Sequence, residues 1–93
     1  MGKYRVKIEK LAESHLRQHY RSGNKAIIIK LQKILFELSI HPYKGEGQPE
    51  QLKHELTGFW SRRINRRDRL IYKVEEEVVT VLVISAMGHY SDK

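Results

Sequence analysis

The apolar residues of this chain change their spacing twice, and those changes limit what it can fold into more than any other feature. Tyr4, Val6 and Ile8 alternate with Lys3, Arg5 and Lys7, the period-two pattern of a strand with one buried face. From Lys10 the spacing becomes helical. Ala12, Leu16, His19 and Tyr20 share one face, and Gly23 ends the helix. Asn24 stands ready to cap a second helix, whose apolar stripe runs Ile27, Ile28, Leu31, Ile34, Leu35 and Leu38; Pro42 stops it. Three strand-like runs follow at 59–64, 69–74 and 78–87, joined by turns at 65–68 and 75–77. The order βααβββ describes an α+β chain with two N-terminal helices packed on one face of a mostly antiparallel sheet.

Two details sharpen that expectation. The last run, VVTVLVISAM, is apolar on both faces, which places it inside the sheet, and Gly88-His89-Tyr90 then emerges beside neighbouring strand ends. Residues 41–51, HPYKGEGQPEQ, contain both prolines and two of the six glycines, so they read as a loop that tolerates close approach of a ligand. Residues 52–56 read equally well as a helical turn or an extended piece.

At 93 residues the chain has room for one core, so residues 1–93 are expected to form a single domain. It has no cysteine, which excludes disulfides, thiolate metal sites and a cysteine nucleophile. The first residues lack the apolar core of a signal peptide, and the longest apolar run is too short to span a bilayer, so a cytoplasmic protein without membrane association is expected. Eighteen basic side chains against eleven acidic ones give a formal charge of +7, which favours a polyanionic partner.

The location of the charge matters more than its total. Arg62, Arg63, Arg66, Arg67, Arg69 and Lys73 fall within twelve residues and are opposed only by Asp68. Phosphate is the ligand that guanidinium forks match best, so the hairpin reads as a positive ridge facing nucleic acid; the duller alternative is a solvated tip. Alternation leaves Arg63 and Arg69 on either side of the turn, with different faces an open alternative. Metal-free RNA cleavage needs a base for the ribose 2′-OH, a cation for the crowded phosphorane and an acid for the leaving 5′-oxygen, all around one phosphate. Glu50 in the loop, Lys53 after it, the hairpin arginines and His89-Tyr90 supply those types. Each has a plainer reading: Glu50 could merely pair with Lys53, Glu46 competes for the base role, and His89 could be an ordinary surface histidine. His15 and His19 have a spacing that can bind metal but show no third ligand, so they read as helix-face residues. Phe59 and Trp60 could stack on a base or pack in the core.

Pro49-Glu50, Leu52-Lys53-His54, Leu56, the run Gly58-Phe59-Trp60-Ser61-Arg62-Arg63-Ile64, Arg69-Leu70, Tyr72 and His89-Tyr90 together resemble the Txe/YoeB family of bacterial toxin–antitoxin toxins, within the RelE-like superfamily. The likeness is strong over residues 42–74 and at 89–90; over the first forty residues only the strand–helix–helix pattern agrees. It implies a RelE-like, microbial-ribonuclease-like fold, ribosome-dependent cleavage of mRNA in the A site, contact with rRNA, neutralisation by a cognate acidic antitoxin, and often a homodimer. By the same resemblance Glu50 is the general base, His89 the general acid, Arg69 the transition-state arginine and Tyr90 a supporting residue. Lys53 and Arg63 lie on the substrate side, and the chemistry calls for no metal and no cofactor. The sequence departs from the family at the turn, where Arg66 and Arg67 stand where a relative carries carboxylates, and after Tyr90, where Ser91-Asp92-Lys93 follow. Two other functions stay open at this point: a non-catalytic ribosome- or RNA-binding inhibitor of translation, and a gyrase-poisoning relative.

Overall fold

The computed structural model describes residues 3–88. A strand β1 (Arg5–Ile8) leads into helices α1 (Lys10–Ser22) and α2 (Lys25–Leu38). Strands β2 (Glu50–Gln51), β3 (Phe59–Arg63), β4 (Arg69–Glu75) and β5 (Thr80–Ser85) complete a five-stranded sheet in the order β1-β5-β4-β3-β2. Only the β1–β5 pair is parallel, so the sheet is mostly antiparallel as expected.

The helix boundaries have local causes that the sequence announces. The Asn24 side chain accepts the N–H of Ile27 at 3.2 Å and caps α2. Gly23 closes α1 with its N–H on the Tyr20 carbonyl. Alternation turns Leu70 and Tyr72 of β4 and Val81 and Val83 of β5 toward the helices, where they meet Ala12 and Leu16 of α1 and Leu31, Ile34 and Leu38 of α2. All of these are buried, and they form one core between helices and sheet. Among the described residues no helix is long and apolar enough to cross a membrane.

Two details differ from the sequence expectation, and one open alternative is settled. The 41–51 loop ends in a two-residue edge strand, Glu50–Gln51, paired with Ser61 and Trp60. Residues His54–Leu56 settle as a short 3-10 turn. The last strand starts at Thr80 rather than at residue 78, because Glu76–Val78 coil into a 3-10 turn. That turn carries the Glu76 carboxylate to the hydroxyls of Tyr4 and Tyr43, and it leaves Val78 largely exposed. The interior position expected for the last strand holds: β5 lies between β1 and β4.

Candidate active site

Strand register decides which charged side chains can act together. Arg63 pairs with Arg69 and Arg62 with Leu70, and directly opposed residues of antiparallel strands share a face. Arg63 and Arg69 therefore stand side by side on the face turned away from the helices, and the alternative of different faces falls. Strand β2 brings Glu50 onto that face by setting it opposite Ser61. Across the three strands, Arg69 Nη1 donates to Glu50 Oε1 and to Ser61 Oγ, each at 3.4 Å. Ser61 is fully buried, whereas the Glu50 side chain is 65% exposed and that of Arg69 26%. An exposed ion pair of this length is worth only about 0–1 kcal/mol, so it does not lock either partner. A phosphate can displace the carboxylate as the guanidinium's partner at little cost.

The ridge expected from the arginine run is smaller than the sequence suggests. Arg62 is not on it. Facing the helices, Arg62 is completely buried and Nη1 reaches Glu37 of α2 at 2.8 Å. Its Nη2 donates to the carbonyls of His41 and Lys44 at 2.7 Å, its Nη1 also to the Glu46 carbonyl, and its Nε to the Tyr72 hydroxyl. One buried guanidinium thus gathers the 41–46 loop that leads to Glu50. Two glycines allow the close approach. A Cβ on Gly45 would collide with the Glu37 carboxylate, and one on Gly47 would lie 2.8 Å from the Arg63 carbonyl. Glu46, the rival for the base role, turns to Lys33 of α2 at 3.4 Å instead of joining Glu50.

The turn after β3 gives Asp68, the one acid among the arginines, a role that the sequence does not show. Asn65 Oδ1 accepts the N–H groups of Arg67 and Asp68 at 2.7 and 2.6 Å, shaping the turn. Asp68 is buried; its Oδ2 accepts from the Asn65 amide at 3.1 Å and its Oδ1 from the Gly88 N–H at 2.9 Å. Burial alone pushes this carboxyl up, but the Gly88 N–H, the Asn65 amide and nearby His19 and Arg67 outweigh it and hold it below the ordinary aspartate value. The next residue, Arg69, donates its N–H to the Gly88 carbonyl at 2.8 Å. A lone acid amid arginines was the available signal.

Lys53 is exposed at the head of the His54–Leu56 turn, three residues beyond Glu50. Phe59 lies on the open face under Lys73, whose Nζ is 5.7 Å from the ring centroid. Trp60 packs against the core and against Tyr43, ring centroids 5.1 Å apart. His15 and His19 both turn to the backbone of Ala86. Among the described residues no group of three or more His, Cys, Asp or Glu could hold a metal ion. His89 and Tyr90 lie outside the described residues.

Comparison with known proteins agrees with this architecture. The family described as "YoeB-like toxin of bacterial type II toxin-antitoxin system" matches residues 5–90. Toxin YoeB of Escherichia coli O6:H1 is 38% identical over 72 residues, covering 77% of this chain and 83% of that protein. A YoeB–YefM complex from Staphylococcus aureus contains a chain 30% identical, with a TM-score of 0.75 over 94% of this chain and 98% of that one. A YoeB dimer from the same species superposes with a TM-score of 0.77 at 28% identity, over 95% and 99%.

Proposed function

The chain belongs to the YoeB-like toxins of bacterial type II toxin–antitoxin systems, and from that premise we propose that it is a ribosome-dependent endoribonuclease cutting A-site mRNA by metal-free acid–base chemistry. The observation that carries the reading is the Glu50–Arg69 contact at 3.4 Å on the open face of the sheet, with Arg63 in register beside it. A carboxylate next to an unlocked guanidinium puts a base and a phosphate anchor within reach of the same phosphodiester. A protein that only occupies its target would need the arginines but not the carboxylate beside them.

The chemistry follows from those roles. Glu50 takes the proton of the ribose 2′-OH, and the oxygen attacks the adjacent phosphorus. Arg69 meets the charge that develops on the equatorial oxygens. The P–O5′ bond breaks, His89 protonates the leaving oxygen, and Tyr90 supports the acid. The products are a 2′,3′-cyclic phosphate, or the 3′-phosphate formed from it, and a 5′-hydroxyl. Lys53 and Arg63 hold the neighbouring phosphates. On the ribosome the basic face also lies against rRNA, and the protein acts in the cytoplasm.

Two partners complete the reading. A cognate acidic antitoxin covers the basic face and masks it, as complementary charge favours. A homodimer is the second; a YoeB dimer is the known assembly of one relative. End-group analysis of the cleaved RNA tests the chemistry: 2′,3′-cyclic or 3′-phosphate with 5′-hydroxyl ends are expected. Products with 5′-phosphate ends would contradict attack by the 2′-OH.

A further inference from the structure

The chain between β5 and residue 89 is held in an unusual way. The β4–β5 ladder ends at the Ile71–Ser85 pair, so Ala86 has no strand partner for its peptide groups. Two histidines of α1 take them instead. The Ala86 N–H donates to His15 Nδ1 at 3.0 Å, and His19 Nε2 donates to the Ala86 carbonyl at 2.8 Å. A carbonyl can only accept, so His19 carries its proton on Nε2; His15 accepts, so its Nδ1 is bare. Two residues on, Gly88 is tied on both sides: its N–H to Asp68 Oδ1 at 2.9 Å and its carbonyl to the Arg69 N–H at 2.8 Å. Four hydrogen bonds hold three residues, and three of them come from side chains that take no part in the proposed chemistry.

We infer that His15, His19 and Asp68 are positioning residues: together they fix residues 86–88 so that the start of β4, where Arg69 stands, and the chain entering His89 are held at one place. This role rests on the ribonuclease reading above. Its physical basis is the geometry. Ala86 and His19 are both buried, so the Ala86 carbonyl could not find water if His19 were lost, and an unmade bond there costs more than the bond itself gains. Helix α1, which has no residue in the open face, is thereby coupled to the strand end that bears the arginine. Catalytic groups held to within about half an ångström need this kind of support behind them.

Amide substitutes separate positioning from mere packing. Asn Oδ1 occupies the place of His Nδ1, and Gln Nε2 that of His Nε2, so His15→Asn and His19→Gln keep the hydrogen bonds without an imidazole. His15→Leu and His19→Leu keep bulk and lose the bonds. The measurement is kcat and KM for cleavage of ribosome-bound mRNA by each variant, with amide hydrogen exchange at Ala86 and Gly88 and denaturant unfolding run in parallel. The expected result for the Leu variants is a kcat lowered on the order of tenfold or more, with KM unchanged and Ala86 exchange accelerated. In His15→Asn and His19→Gln both kcat and exchange should return to within about threefold of wild type. His15 is only half-buried, so His15→Leu carries the test even if His19→Leu fails to fold. If the wild type cuts and the Leu variants cut equally well despite faster Ala86 exchange, the positioning role is overturned and the ribonuclease reading stands. If the wild type itself does not cut, the ribonuclease reading falls and this role falls with it.

Discussion

Replacing Arg62 by methionine should destabilise the fold by about 3–4 kcal/mol, a large share of the roughly 5–14 kcal/mol expected for a domain of this size. The figure comes from what the guanidinium holds. Arg62 is fully buried and donates to the Glu37 carboxylate, to three loop carbonyls and to the Tyr72 hydroxyl. Removing one partner of a buried ion pair costs about 3–5 kcal/mol. The Glu37 side chain is 20% exposed, so water recovers part of its solvation and the lower half of that range applies. The loop carbonyls decide between two explanations. If Arg62 served only to neutralise Glu37, replacing both by apolar residues would restore stability, as it often does for buried pairs. Here the carbonyls of Lys44 and Glu46 would lose the guanidinium and that of His41 would keep only the Lys44 N–H, so the double variant Glu37→Met/Arg62→Met should stay at least about 2 kcal/mol below wild type. Urea unfolding of the three proteins, with hydrogen exchange across 41–48, provides the assay. A loss under about 1 kcal/mol for Arg62→Met, or full recovery in the double variant, would refute the reasoning.

Three further outcomes follow from other parts of the structure. The Asp68 carboxyl sits below its ordinary value, so its stabilisation is complete above the unfolded pKa of about 3.9 and is lost as pH falls through the lower folded value. The stability gap between wild type and Asp68→Asn should therefore narrow below about pH 4, and a gap constant from neutral pH to about pH 3 would contradict this. Tyr43 is held protonated above the usual range by partial burial and by donation to Glu76, and Tyr4 by its bond to the same carboxylate; phenolate absorbance in Glu76→Gln should rise at lower pH than in wild type, and an unchanged titration curve would disprove the cluster. Asn24→Ala removes the α2 cap and should cost about 1 kcal/mol, against a few tenths for Asn24→Gly, by thermal or chemical unfolding.

Most of the fold was legible because its signals are local. Asn24, Gly23 and Pro42 mark helix ends by backbone chemistry, and the apolar stripe of α2 contains its three buried residues, Leu31, Ile34 and Leu38. The start of β5 was misplaced for a non-local reason: the glutamates at 75–77 read as a simple turn, and nothing nearby shows that Tyr4 and Tyr43 pull Glu76 into a 3-10 coil. The site was legible in its residue types and obscure in its faces. Whether Arg62 or Arg63 lies on the open face depends on the register of β3 against β4, and a shift of one residue reverses every side chain. The roles of Ser61 and Asp68 were not legible because their partners lie 8 and 20 residues away. The two helix histidines were correctly read as helix-face residues, but their partner, Ala86, lies at the far end of the chain.

The central claim is that Glu50, Arg69 and His89 cut mRNA on the ribosome. Primer extension on translated mRNA tests it most directly, with wild type, Glu50→Ala, Arg69→Ala and His89→Ala run beside a measure of translation. Discrete ribosome-dependent cuts are predicted for wild type, with a loss of about 100-fold or more in each variant while the fold survives. Cutting at the wild-type rate by Glu50→Ala and Arg69→Ala, or a block of translation by all three variants without any cut, would contradict it.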